Sequence, residues 1–108
     1  MTIFISQIMK DKSDDFIMEE RQKAVDDLVK MREEGKIDDF EIIDSFFKDY
    51  PTDDNPNIVN VPVSFLAKAV ALLSMCDAAY FCDGWADGRG TVIEHKICED
   101  YNIKILKD

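Results

Sequence analysis

The segment Asp83-Gly84-Trp85-Ala86-Asp87-Gly88-Arg89-Gly90-Thr91-Val92-Ile93-Glu94-His95 gathers acids, glycines, an arginine and an indole between an expected strand and an expected helix. Several chemistries suit these residue types. Backbone N–H groups at a glycine-rich helix start favour an anion such as a phosphate, and Arg89 with the amides of Gly88 and Gly90 would add to that preference. Thr91 and Glu94 have the spacing of a capping box, which would make Glu94 a structural partner of the helix start. A carboxylate in the first turn of a helix, opposite a second acid, is also equipped to attack an anomeric carbon while its partner protonates the leaving group. Counted from Asp83 as position one, Asp87, Gly88 and Glu94 match a calcium-binding loop. Trp85 stands where that loop needs a third oxygen ligand, and Gly90 replaces its aliphatic position.

These residues need a scaffold, and the flanking periodicities describe one. Thr2 to Ser6 is a short apolar run suited to a strand covered on both faces, followed by a polar connection from Gln7 to Lys12. Ser13 ahead of Asp14 and Asp15 reads as a helix cap, with Ile17, Ala24, Leu28 and Met31 on one face and a stop near Gly35. Phe40 to Asp44 reads as a second strand. Ser45 to Asn60, rich in aspartate, asparagine and proline, reads as a long loop, placed either to cover a pocket or simply to connect. Pro62 opens a helix that is apolar nearly all round, which suits burial in the domain or a subunit interface. Ala78 to Cys82 is a third strand, Thr91 to Tyr101 a helix with Ile93 and Ile97 inward, and Ile103 to Leu106 a last strand.

The order βαβαβαβ predicts a single α/β domain over residues 1–108. Its form is a three-layer, flavodoxin- or Rossmann-like fold with about four parallel strands and flanking helices. Ligands in such sheets bind outside the carboxyl ends of the strands. That edge collects Ser6 and Gln7, then Asp44 and Ser45, then Asp83 to Gly90.

A formal net charge of −10 argues against polymeric nucleic acid as a partner, because polyanion binding rests on Lys and Arg. A small nucleotide is compatible with it. Three cysteines without C-x-x-C spacing and a single histidine support neither a disulfide framework nor a zinc site. The apolar start is too short for a signal sequence or a membrane span, so the expectation is a cytoplasmic protein with no membrane contact. A domain of this size would gain from a second subunit, so a homo-oligomer is expected.

Ile3-Phe4-Ile5-Ser6-Gln7 with Met9, Ser13-Asp14-Asp15 leading to Glu20-Arg21, and Ile42-Ile43-Asp44-Ser45 resemble the nucleoside 2-deoxyribosyltransferase-like family in its short bacterial and phage branch. So do Leu72-Leu73-Ser74, Asp77-Ala78-Ala79-Tyr80-Phe81 and the Gly84-Trp85, Asp87, Arg89-Gly90, Glu94-His95 cluster. The resemblance implies that Glu94 is a nucleophile forming a glycosyl ester and that Asp87 positions or protonates the nucleoside. It also implies that Ser6 and Gln7 line the nucleoside pocket, with Asp44 at the same edge. Trp85 would stack on a base or plug the shell, and Arg89 with the Gly88 and Gly90 amides would hold a phosphate or the nucleophile itself. Where the family has proline and glycine in its first loop, this chain has Ile8 and Asp11. The implied activity is transfer or hydrolysis at the N-glycosidic bond of a nucleoside or nucleotide, without cofactor or metal. The alternative is a nucleotide-binding protein that uses the same pocket without turnover.

Overall fold

The computed structural model describes residues 1–47 and 55–108. Four strands, β1 (Thr2–Ser6), β2 (Glu41–Ile42), β3 (Ala78–Phe81) and β4 (Lys104–Lys107), alternate with three helices, α1 (Asp14–Glu33), α2 (Val61–Leu73) and α3 (Arg89–Asp100). The strands form one parallel sheet in the order β2-β1-β3-β4. This is the expected three-layer α/β arrangement.

Alternation along β1 divides the core between the two faces. Ile3 and Ile5 pack with Tyr80 and Cys82 against Ala24 and Leu28 of α1. Phe4 packs with Ala79 and Phe81 against Leu73 of α2 and Cys98 of α3. Burial on both faces explains the near-continuous apolar runs of β1 and β3. Asp77 registers the central pair from outside the ladder: its carboxylate accepts from Thr2 N at 2.7 Å, and its own N–H donates to Thr2 O at 2.8 Å.

Local signals account for the first two helix starts. The Ser13 hydroxyl accepts from Phe16 N at 3.1 Å, and the Asn60 side chain accepts from Val63 N at 3.0 Å, with Pro62 in the first turn. Gly35, at φ 75°, supplies the left-handed residue just beyond α1. β2 is shorter than the stretch from Phe40 to Asp44, because only Glu41 and Ile42 join the ladder. The long connection after it falls partly outside the described residues, and with it the reading of that loop as a pocket cover. Its described flank is anchored, Ser45 Oγ donating to Ile5 O at 3.2 Å.

α3 departs from expectation in two ways. It begins at Arg89 with Gly88 as N-cap, so Thr91 is the third helical residue and no capping box forms. Thr91 Oγ1 donates instead to Trp85 O, tying the helix to the turn before it. The inward face is Thr91, Glu94, His95 and Cys98, whereas Ile93 is 44% exposed and Ile97 only half-buried. The spacing 91, 94, 95, 98 is one stripe of a helix, and most of its members are polar.

Candidate functional site

β1 feeds α1 toward one side of the sheet and β3 feeds α3 toward the other, so the strand order reverses between β1 and β3. A crevice at such a reversal lies outside the carboxyl ends of the two strands. Ser6 ends β1 there, paired with Phe81 of β3. The turn from Cys82 to Gly88 leads from β3 into α3.

Glu94 meets Ser6 at this point. Its carboxyl is buried, with 6% of the residue exposed, and accepts a hydrogen bond from Ser6 Oγ at 2.8 Å. Burial pushes the Glu94 carboxyl up to about 7, while the Ser6 hydroxyl works in the opposite direction by stabilising the anion. Glu94 therefore changes charge near neutrality, the range in which a side chain can serve acid–base or nucleophilic chemistry.

The turn before α3 is tightly built. Gly84 takes φ 84°, opening a single 3-10 turn at Trp85–Asp87. Gly88 is there for space: a Cβ on it would lie 2.4 Å from Thr91 Oγ1 and 2.7 Å from Ile8 Cγ1. Gly90 sits beside α2, where an added Cβ would make ordinary contact with Leu66. Ile8 thus packs against Gly88, in the turn that leads into α3. Asp11 adopts φ 62°, a left-handed conformation that aspartate tolerates.

The remaining candidates are placed as follows. Trp85 is half-buried and stacks on His95, with ring centroids 3.9 Å apart and planes 11° from parallel, while Phe81 meets His95 edge-on. His95 is fixed through both nitrogens, Nδ1 at 3.2 Å from Glu99 and Nε2 at 3.1 Å from Asp108, so its role in the fold is structural. Asp87 and Arg89 are exposed, and no hydrogen bond joins Asp87 to Glu94. Asp44 is exposed; it accepts from Phe46 N at 3.1 Å and lines a hollow of about 410 Å³ with Thr2, Ile42 and Met75. Gln7, expected in a polar connection, is buried. Its amide donates to Glu20 at 2.9 Å, and its carbonyl accepts from Arg21 at 3.0 Å. The strand edge expected from the sequence holds Ser6, Gln7 and Ser45; Glu94 meets Ser6 there, and Arg21, which the sequence did not point to, is brought to it by its bonds to Gln7 and Ser45.

A separate cavity of about 170 Å³ lies on the α1 side of the same edge, with Glu20, Lys23, Tyr80, Cys82 and Lys107 among its lining residues. Asp83, the first residue of the glycine-rich segment, also lines it, whereas Ser6, Gln7 and Glu94 do not. Cys82 at its wall is no nucleophile, because burial first and then Glu20 push its thiol up to about 12. Among the described residues no group of three or more His, Cys, Asp or Glu is placed to hold a metal ion. The calcium pattern is dissolved in the fold: Asp83 pairs with Lys107 at 3.1 Å, whereas Glu94 is turned onto Ser6. No helix among the described residues is long and apolar enough to cross a membrane.

Trp85 is the single tryptophan of the chain and reports directly on its stack with His95. His95→Ala should shift its emission to longer wavelength, raise its quenching by acrylamide and cost about 1 kcal/mol, as expected for one aromatic pair. Unchanged emission would mean that the ring is held without the histidine. No family model, no curated protein and no solved structure matches the chain.

Proposed function

We propose that this chain acts on the N-glycosidic bond of a deoxynucleoside or nucleotide, by transfer or hydrolysis, in the manner of the nucleoside 2-deoxyribosyltransferase-like family it resembles. The observation that carries the reading is Glu94, a buried carboxyl held by Ser6 at the reversal of strand order and raised to about 7. In the proposed reaction a Glu94 carboxylate oxygen bonds to the anomeric carbon as the bond from that carbon to the base nitrogen breaks. The base leaves with the electron pair and takes a proton from Asp87 or solvent. A second base or water then displaces the ester and regenerates the carboxylate. The buried, weakly solvated carboxylate stabilises the positive charge that develops on the sugar. In the same reading a second copy of the chain covers α2, on which Leu73 is buried and Val63 exposed.

Incubation with mixed deoxynucleosides, deoxynucleotides and free bases, followed by chromatography, tests the proposal. Release or exchange of base is expected; silence across the panel contradicts it. Ligand-induced stabilisation without turnover would favour the binding-only alternative, which has the altered first loop, Ile8 on Gly88 and left-handed Asp11, on its side.

Because the nucleophile must be ionised, turnover should rise with pH through about 7. Ser6→Ala removes the donor that favours the anion, so the rising limb should move to higher pH, with kcat lower at pH 7 and partly recovered in more alkaline buffer. An unmoved limb would detach Glu94 from the rate.

A further inference from the structure

Arg21 poses a charge problem that the fold leaves open. It lies on the inward stripe of α1 between Ile17 and Ala24, with 8% of the residue exposed. In a chain with 23 acids it forms no ion pair with any acid among the described residues. Its Nη1 donates to two neutral acceptors, Gln7 Oε1 at 3.0 Å and Ser45 Oγ at 3.2 Å. The nearest acid in sequence, Glu20, is engaged by the Gln7 amide at 2.9 Å, and Asp44 acts on Arg21 only at longer range. Burial accordingly pulls the guanidinium below its usual value. Buried charges are ordinarily paired, because desolvation costs several kcal/mol that neutral partners do not return.

The position of Arg21 shows where a counter-ion would come from. Ser6 and Gln7 are consecutive at the end of β1 and face opposite layers, Ser6 bonding to Glu94 of α3 and Gln7 to Arg21 of α1. Arg21 and Glu94 therefore flank one strand end from its two sides. The Ser45 hydroxyl and the Gln7 carbonyl fix the guanidinium without neutralising it, as a recognition site for a diffusible anion requires.

We propose that Arg21, held by Gln7 and Ser45, is an anion subsite at the strand end that Glu94 also flanks, so that the ligand is a nucleoside carrying a phosphomonoester and not a neutral nucleoside. The inference rests on the reading of Glu94 given above. It also moves the anion site from the glycine-rich turn, with Arg89, to α1.

Binding to the full chain carrying Glu94→Gln, which prevents turnover, provides the test. Calorimetry and thermal shift are read with deoxynucleosides, their 5′-monophosphates and inorganic phosphate, in the Glu94→Gln background alone and with Arg21→Met, Arg21→Lys or Arg89→Met added. The monophosphates should bind about tenfold or more tighter than the nucleosides. Arg21→Met should erase that preference and Arg21→Lys should retain part of it, while Arg89→Met leaves it in place. Without ligand, Arg21→Met should melt at the same temperature or higher, since an uncompensated buried charge has been removed.

The subsite is overturned if nucleosides bind as well as monophosphates or if Arg89→Met, not Arg21→Met, erases the preference. It is equally overturned if Arg21→Met melts far lower or fails to fold, as a structural arginine would require. Inorganic phosphate matching the monophosphates in affinity would also overturn it, by separating the anion from the nucleoside. Nucleoside binding without preference sinks the subsite alone; no binding by any nucleoside or nucleotide sinks the reading of Glu94 with it.

Discussion

Glu94→Gln should reduce turnover by about a thousandfold or more while making the protein more stable at alkaline pH. The amide keeps the shape of the side chain and still accepts from Ser6, so the loss belongs to the nucleophile. The stability gain follows from the displacement of this carboxyl from its ordinary 4.5 to about 7. The folded protein retains a proton that the unfolded chain releases near 4.5. This contribution is therefore fully present below that pH and is lost as pH rises through about 7. Above that range, ionised Glu94 costs the native state about 3 kcal/mol, given its displacement from 4.5 to about 7. Glutamine has no such cost. Wild type and variant should unfold at similar denaturant concentration at pH 5, with the variant more stable at pH 8.5. A variant less stable at both pH values would mean that the carboxylate supports the fold, and full turnover in the variant would remove Glu94 from the chemistry.

Gly88→Ala should destabilise the protein by about 1–3 kcal/mol and lower Tm by several degrees. The backbone there, at φ −97° and ψ 141°, suits alanine, so the effect is one of space. The added methyl would lie 2.4 Å from Thr91 Oγ1 and 2.7 Å from Ile8 Cγ1, both closer than unbonded atoms settle. Replacing glycine also gains about 0.4–1 kcal/mol by restricting the unfolded chain, which the overlap exceeds. Thr91 must give way, and Glu94 lies one turn later on the same helix, so the Ser6 to Glu94 geometry should be disturbed as well. Ile8→Ala in the same chain should recover part of the loss, giving a coupling of about 0.5 kcal/mol or more by double-mutant cycle. An alanine variant that melts with wild type would show the turn to be looser than its packing implies.

Much of the scaffold was legible in the sequence because its signals are local. Apolar runs without alternation marked β1 and β3 as strands buried on both faces, and Ser13 with two acids marked the start of α1. The Thr91 and Glu94 spacing misled, because a threonine followed three residues later by a glutamate looks the same whether the threonine caps a helix or lies inside it. In the structure the helix starts at Arg89, two residues before Thr91, and the threonine hydroxyl donates to Trp85 O. Ile93, being apolar, reads as inward, but the helical period puts Thr91, Glu94, His95 and Cys98 together and leaves Ile93 exposed. A polar inward stripe was the stronger signal, since burying such groups costs free energy that function can explain. Arg21 carried the same signal on α1, in register with Ile17, Ala24 and Leu28. Its partners Gln7 and Ser45 come from two other elements, which only the sheet order brings together.

The most direct test of the central claim is intact-mass and peptide mass spectrometry on protein quenched in acid during turnover of a deoxynucleotide. The account predicts a deoxyribosyl adduct on the peptide containing Glu94, present in wild type and missing in Glu94→Gln. Release of base with no adduct on that peptide, at the same rate in both proteins, would contradict it.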